Sequence, residues 1–165
     1  MRIARILLLL AAFAAWSPPV KAASCLLLCT CTVVTTPVSF SDYNPINGPA
    51  VLNNGNVAVT CRVFLGLNIG LLVSYEIAIS AGQSGSVAQR KMFKGGDSLN
   101  YNLYTSNSYG TIWGTSAPNT VVDGYALALV NTTKNHTVFG RIPAGQNTVP
   151  VGDYSDTTVV VTVTY

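Results

Sequence analysis

The chain has 165 residues, of which 49% are apolar and only 9% are charged. Three of its nine basic residues lie before position 23, which leaves six basic side chains against six acidic ones in the rest of the chain. A net charge of zero over residues 23–165 excludes the broad basic surface that nucleic acids or anionic membranes attract.

The first 22 residues have the pattern of an export signal. Two arginines precede an apolar run over residues 6–15, and Val20-Lys21-Ala22 is a small-residue cleavage site. The apolar run is too short to cross a bilayer as a helix. We therefore expect residues 1–22 to be a signal peptide for export through the inner membrane, and residues 23–165 to form one secreted domain.

Four cysteines follow the predicted signal: Cys25, Cys29, Cys31 and Cys61. An exported protein meets an oxidising compartment, so we expect these residues to form disulfides. Of the three possible pairings, we favour Cys31–Cys61, which links two predicted strands, with Cys25–Cys29 as a small N-terminal loop. The C-x3-C-x-C spacing also resembles a metal site, but the chain has a single histidine and an oxidising route. No metal or other cofactor is expected.

Alternating apolar and polar residues predict strands along the rest of the chain, without a helical pattern. The predicted strands are 31–40, 56–63, 72–80, 90–93, 99–104, 112–114, 125–130, 137–142 and 157–165. Residues 41–54, rich in Asn, Pro and Gly, are predicted to be a loop. Short strands at this spacing favour an all-β antiparallel sandwich.

The last predicted strand has the strictest alternation. Val159, Val161, Val163 and Tyr165 share one face, and every residue from position 157 onward is β-branched or aromatic. We expect so apolar a strand to pair with another, because an uncovered apolar edge is prone to aggregation.

The sequence contains no set of residues with catalytic spacing. Gly140 to Gly145 has the glycine spacing of a phosphate-binding loop, but Gln146 and Asn147 replace its Lys and Ser/Thr. His136, the only histidine, has no acid in its own segment to orient it and is predicted to be a solvated loop residue. We therefore expect neither enzymatic activity nor a small-molecule substrate.

Several segments, taken together in their order, resemble the spore coat protein U domain, the subunit type of archaic chaperone–usher pili. The segments that carry the resemblance are Cys31-Thr-Val33, Val38-Ser-Phe40, Tyr43-Asn-Pro45, Val57-Ala-Val-Thr-Cys61, Ile79-Ser-Ala-Gly82, Arg90-Lys-Met92, Leu99-Asn-Tyr-Asn-Leu-Tyr104, Trp113-Gly114, Gly140-Arg-Ile-Pro-Ala-Gly-Gln146, Val151-Gly-Asp-Tyr-Ser-Asp156 and the Thr-Val-Thr-Tyr165 end. Each segment alone is weak. In this order they are specific, and they cover nearly all of residues 23–165.

The resemblance implies an incomplete immunoglobulin-like sandwich that lacks its closing strand. Similar subunits are held by a periplasmic chaperone that lends a strand, pass through an outer-membrane usher, and are then completed by the N-terminal extension of another subunit. The resemblance assigns the strand-pairing role to Val159, Val161, Val163 and Tyr165. The implied protein is a structural subunit of a pilus or of a surface or spore coat. A self-contained secreted sandwich is the alternative.

The N-terminus departs from the pattern of a pilus-shaft subunit. Residues 23–30 precede the first predicted strand and span at most about 26 Å when fully extended. If Cys25 and Cys29 pair, this stretch is closed into a loop and does not reach a neighbour. We therefore expect the subunit to accept a strand without donating one, as at the tip of a pilus or the end of a coat assembly.

Two segments offer a binding surface, which a tip adhesin would need. Residues 63–73 place apolar side chains around Gly66, Asn68 and Gly70, and we favour two core strands with a tight turn over an exposed apolar finger. The apolar side chains of the finger interpretation are Phe64, Leu65, Leu67, Ile69 and Leu71. Residues 104–113 combine aromatic residues with Ser and Asn, as recognition loops do, although we favour a core position for Trp113.

Overall fold

The computed structural model describes residues 29–63, 71–127 and 132–165. Within these residues the chain forms nine strands and one short 3₁₀ turn, Gly82–Ser84. The strands are β1 (Cys29–Thr36), β2 (Val51–Val63), β3 (Leu71–Ile79), β4 (Lys91–Lys94), β5 (Asp97–Asn100), β6 (Asn102–Tyr104), β7 (Val121–Leu127), β8 (Thr132–Ile142) and β9 (Val161–Thr164). The predicted all-β class is confirmed. No helix in the described ranges is long and apolar enough to cross a membrane.

The strands form two main antiparallel sheets. The first has the order β1-β2-β8-β6 and the second the order β7-β3-β9, while β4 and β5 make a separate hairpin. The long strands β2 and β8 pair over eleven residues, from Val51 opposite Ile142 to Cys61 opposite Thr132. This pairing determines the register of the first sheet, because a shift by one residue would turn the inward side chains of both strands outward.

One apolar core lies between the two sheets. Val57, Val59 and Cys61 alternate inward from β2, and the buried face of β3 opposes them. The buried residues of β3 are Val73, Tyr75, Ile77 and Ile79. Trp113 is fully buried in the same core, and its indole Nε1 donates a 2.9 Å hydrogen bond to the carbonyl of Ile77. The favoured core position of Trp113 is therefore confirmed.

A buried arginine closes the end of this core. The Arg90 guanidinium is fully buried and donates hydrogen bonds to the carbonyls of Ile79 (2.9 Å) and Trp113 (2.7 Å). It also donates to Asn102 Oδ1 (2.7 Å) and to the carbonyl of Ser80 (2.9 Å). A buried charge is tolerated when it is hydrogen-bonded in this way, so Arg90 joins the end of β3 to β6 and to the chain around Trp113.

Some predicted boundaries were wrong. Residues 51–54, predicted to be loop, are the first part of β2, where Asn54 pairs with Phe139 and Gly55 with Val138. The local Asn and Gly content favours a turn, but pairing with β8 overrides it. Gly55 is needed in this strand because a Cβ there would lie 2.6 Å from the carbonyl oxygen of Thr36.

Other segments also differ from the predicted strands: β1 ends at Thr36 instead of residue 40, and β9 covers only Val161–Thr164 of the predicted 157–165 strand. The predicted 99–104 strand is divided into β5 and β6, because β5 pairs with β4 whereas β6 pairs with β8. Residues 112–114 form only an isolated bridge, between Ile112 and Tyr104. The 125–130 strand begins earlier, at Val121, and residues 128–130 lie outside the described ranges.

Candidate functional site: an open edge between the two sheets

The C-terminal strand lies at one edge of the second sheet. β9 pairs with β3 through Val163 opposite Ile77 and Val161 opposite Ile79. The pairing continues past β9, where the Ser80 amide donates to the carbonyl of Val160 (2.9 Å). Among the strands that the structure describes, β9 has a neighbour on this side only. Its other side is an edge available for pairing.

The side chains of this segment alternate as the sequence predicts. Val159, Val161 and Val163 are half-buried and pack against the core. Val160, on the opposite face, is 58% exposed. Tyr165 is 42% exposed and does not join the core cluster, although the alternation places it on the inward face. The reason is that the ladder with β3 ends at Thr164, opposite Glu76.

The backbone of β9 shows which amides face the open edge. In an antiparallel ladder, every second residue exchanges both hydrogen bonds with the same neighbouring strand. Because Ser80 pairs with Val160, the register places Thr162 and Thr164 in the pairs that bond to β3. The amides of Val161 and Val163 therefore point away from β3, and no described residue accepts from them.

A cavity of about 490 Å³ lies beside Val161, between the edges of the two sheets. Its floor is formed by core residues of both sheets, among them Val57, Ile79 and Leu103. One wall is the end of β1 with the segment that follows it, and the other wall includes Val159 and Val161. The cavity thus opens the apolar core between β1 and β9.

A second cavity of about 520 Å³ adjoins the first and shares Phe40, Met92 and Tyr154 with it. It lies between residues 40–45 and 149–154. The Tyr43 hydroxyl joins the first of these segments to the turn after β8, because it donates to the carbonyl of Pro143 (2.9 Å) and accepts from the Gln146 amide (3.0 Å). We refer to these two adjoining cavities together as the groove.

Asp156 anchors the chain that leads into β9. Its Oδ2 accepts a 2.9 Å hydrogen bond from the Tyr101 hydroxyl, and its Oδ1 accepts from the Gln83 amide (3.2 Å) and the Thr158 hydroxyl (2.9 Å). Burial, together with Asp156, raises the pKa of Tyr101 well above its ordinary value. Sequence reasoning did not find this anchor, since its partners are spread over 75 residues of chain. Asp156 holds the start of the C-terminal segment at the wall of the groove.

The disulfide favoured from the sequence holds the opposite wall. Cys31 of β1 and Cys61 of β2 face each other in the register and are joined, with their Cα atoms 4.0 Å apart. The bond ties the edge strand β1 to the long strand β2. Cys29 is also disulfide-bonded, while Cys25, its predicted partner, lies outside the described residues.

The apolar segment that an adhesin would use is not tested by the structure. Phe64, Leu65, Leu67 and Ile69 lie outside the described ranges. Leu71 begins β3, but its side chain is also outside the description. The choice between two core strands with a tight turn and an exposed finger therefore stays a prediction.

The prediction for His136 was wrong. It lies in β8, half-buried, and its Nε2 is 2.8 Å from the Tyr75 hydroxyl across the core and 3.8 Å from Asp123 Oδ2. The acid that the sequence lacked locally comes from β7, and Lys134 Nζ binds it at 2.7 Å. Burial lowers the pKa of His136 below its ordinary value, although Asp123 opposes this shift. The cluster is a polar contact between the sheets.

The arrangement offers pairing and apolar contact rather than chemistry. Among the described residues, no group of three or more His, Cys, Asp or Glu side chains is placed to hold a metal ion. The features that converge on the groove are free backbone amides, half-buried valines and core residues. These are the elements of a site for an extended polypeptide.

Comparison with known families gives a match for this chain. The Spore Coat Protein U domain family matches residues 20–163. The match covers most of the chain, so the protein belongs to the spore coat protein U domain family. The family is one of pilus-type and coat-type surface subunits. No match was found among curated proteins.

Proposed function

We propose that this protein is an exported structural subunit of a surface pilus or coat, and that the groove between β1 and β9 accepts a β-strand from another polypeptide. The observation that carries the proposal is that the open edge of β9 and the cavity of about 490 Å³ lie side by side. A strand added here would accept hydrogen bonds from the unpaired amides of β9, and its inward side chains would fill the cavity in the core.

The groove defines the chemistry of the incoming strand. Its backbone accepts from the amides of Val161 and Val163, which face the open edge. Every second side chain points into the cavity and is apolar, because the floor consists of residues such as Val57 and Leu103. The remaining side chains face solvent. The donor is therefore an extended segment with alternating apolar residues, and the burial of those residues stabilises the subunit.

The partners follow from the same site. A periplasmic chaperone supplies the strand after export, and another subunit supplies it after passage through an outer-membrane usher. A folded chain that left this edge uncovered would expose both apolar surface and unpaired amides, which promotes aggregation. Temporary cover by a chaperone therefore has a physical reason in the groove itself.

Two matched substitutions test the groove. Val161→Asp places a charge on the inward face, and Val160→Asp places the same charge on the exposed face one residue earlier. Residues 23–165 are expressed in the periplasm with and without a periplasmic chaperone of the chaperone–usher type. We expect the unchanged chain and Val160→Asp to accumulate as one-to-one chaperone complexes. Val161→Asp is expected not to accumulate as such a complex.

A second measurement does not depend on whether a variant folds. Amide exchange followed by NMR in the unchanged chain compares Val161 and Val163, which face the edge, with Thr162, which bonds to β3. We expect the donor strand to slow exchange at Val161 and Val163 far more than at Thr162. A monomer that folds alone, protects all three amides equally and does not bind the chaperone is a self-contained sandwich, and this result contradicts the proposal.

A further inference from the structure

A strained tyrosine marks a second surface on the opposite side of the sandwich. Tyr109 has a φ of +54°, and it is the one residue other than glycine with a positive φ among those described. Positive φ is uncommon for a bulky side chain and costs about 1–3 kcal/mol. The surrounding loop is closed by the Thr105 amide donating to Thr111 (3.1 Å) and the Tyr109 amide donating to Ser106 (3.1 Å).

Two contacts hold the ring of Tyr109 in place. The Tyr104 ring meets it edge to face, with centroids 5.3 Å apart and planes at 85°. The Arg141 guanidinium lies 5.7 Å from the ring centroid, within the range of a cation–π contact. Tyr104 comes from β6 and Arg141 from β8, which are neighbours in the first sheet. The loop therefore presents Tyr109 over a rigid sheet.

Arg141 has hydrogen-bonding capacity that the protein does not use. Within the described ranges its side chain makes neither an ion pair nor a hydrogen bond, and it is only half-buried. The segment 104–113 that covers it contains no charged residue but has four hydroxyl side chains besides its two tyrosines. A guanidinium stacked on an aromatic ring is pre-organised and presents its donors in a plane.

We infer that Tyr104, Tyr109 and Arg141 form a binding site for a sugar that carries a carboxylate, such as a uronic acid. The planar guanidinium matches a carboxylate through two parallel hydrogen bonds. The aromatic rings offer an apolar surface for the C–H face of a sugar ring, and the loop hydroxyls suit its hydroxyl groups. An aromatic, uncharged surrounding with a single cation favours this ligand over a phosphate, which usually meets several basic groups.

The site is compatible with assembly into a fibre or coat but does not depend on it. β6 lies at the far edge of the first sheet from β1, which forms the wall of the groove. A strand bound beside β9 leaves Tyr109 and Arg141 uncovered. The inference therefore goes beyond the proposed function and stands even if the chain folds without a donor strand.

Binding of trigalacturonic acid to the mature chain tests the inference, with its methyl ester as the uncharged control. The protein is used as it purifies from the periplasm, and a chaperone that co-purifies is also measured alone. We expect the acid to bind more weakly as salt is raised and the ester to bind at least about tenfold more weakly, the loss of roughly one charge-assisted hydrogen bond.

Variants separate this site from general attraction to a cation. Arg141→Gln and Tyr109→Asn are each expected to weaken binding of the acid by about tenfold or more; Asn tolerates the left-handed conformation, so the loop is retained. Arg62→Gln removes an exposed charge from β2 of the same sheet and is the matched control, expected to leave affinity unchanged.

Several results overturn the inference. These are absence of measurable binding at low salt, equal losses in Arg62→Gln and Arg141→Gln, and equal affinity for the acid and its ester. Glucose 6-phosphate that binds as tightly as the acid at Arg141 shows an unspecific anion site instead of a site for acidic sugars.

Discussion

The two edges of the first sheet differ in how they are covered by the rest of the chain. At the β6 edge, residues 112 and 113 fold back, so that Ile112 bridges to Tyr104 and the Trp113 amide donates to the carbonyl of Leu103 (2.8 Å). At the β1 edge, Val34 is 67% exposed and the neighbouring cavity opens the core. The contrast teaches that one side of this sandwich is completed by its own loop, whereas the other side has an open cavity beside the edge strand.

The closed side is where a single substitution is expected to have the largest effect. Arg90→Ala leaves the carbonyls of Ile79 and Trp113 and the Asn102 side chain without their buried donor. Because several charge-assisted hydrogen bonds are lost at once, we expect a loss of at least about 3 kcal/mol in the free energy of unfolding. Urea denaturation of the variant and the unchanged chain in the same form measures it.

Arg62→Ala is the matched control for this prediction, since Arg62 is exposed. The substitution should change the free energy of unfolding by no more than about 0.5 kcal/mol. Equal stability of the Arg90 and Arg62 variants would mean that the buried hydrogen bonds do not close this side of the core.

On the open side, Asp156→Ala tests the anchor of the C-terminal segment. The variant leaves the Tyr101 hydroxyl and the Gln83 amide without their acceptor. We therefore expect it to lower the free energy of unfolding by about 1–3 kcal/mol. It should also weaken binding of a donor strand, because Val159 and Val161 are no longer held at the groove wall. Denaturation together with titration of a synthetic donor peptide checks both effects.

Asp153→Ala is the corresponding control, because Asp153 is exposed and lies three residues before Asp156. It should change neither quantity by more than about 0.5 kcal/mol. If Asp156→Ala lowers stability but leaves donor affinity intact, Asp156 contributes to the fold without positioning the groove.

The contact between the sheets predicts a smaller, pH-dependent effect. His136 faces Tyr75, Asp123 and Lys134, and burial lowers its pKa below 6.5 in the folded protein. A base with a lowered folded pKa stabilises the fold above its unfolded pKa, so stability is lost as the pH falls from about 6.5 through the folded value. The slope is at most about 1.4 kcal/mol per pH unit.

Asp123 titrates at a lower pH than His136, so the contributions of the two residues to the pH dependence can be separated. Burial alone would raise it, but hydrogen bonds from Lys134 and from the Gly124 amide lower it below its ordinary value. The stabilisation that Asp123 provides is therefore complete above about pH 4 and is lost only as the pH falls below that value. Denaturation between pH 7.5 and pH 5 isolates His136, and His136→Gln should remove the dependence in that window. An unchanged slope in this variant contradicts the assignment.

Much of the fold could be predicted because its signals are local. Alternation with a period of two identified most of the strands and the inward face of Val159, Val161 and Val163. The same signal failed over residues 51–54, because Asn and Gly are common in turns and only the pairing with β8 makes them a strand. The Cys31–Cys61 pairing was found because both cysteines lie in segments whose strand pattern is clear.

The candidate sites were harder to predict because their parts come from distant segments. Asp156 meets Tyr101 across 55 residues, and His136 meets Tyr75 across 61. The composition of residues 104–113 is that of a recognition loop, but the positive φ of Tyr109 and its contact with Arg141 leave no pattern in the sequence.

The sequence by itself determined the strand content, the alternating face of the last strand, one disulfide and the family. These follow from residue type and spacing along a few neighbouring positions. Only the tertiary structure decided which edge is covered, where the groove opens and which side chains meet Arg141 and His136. The physical reason is that strand order depends on pairing between segments far apart in the chain, and an edge is open or closed only relative to that order.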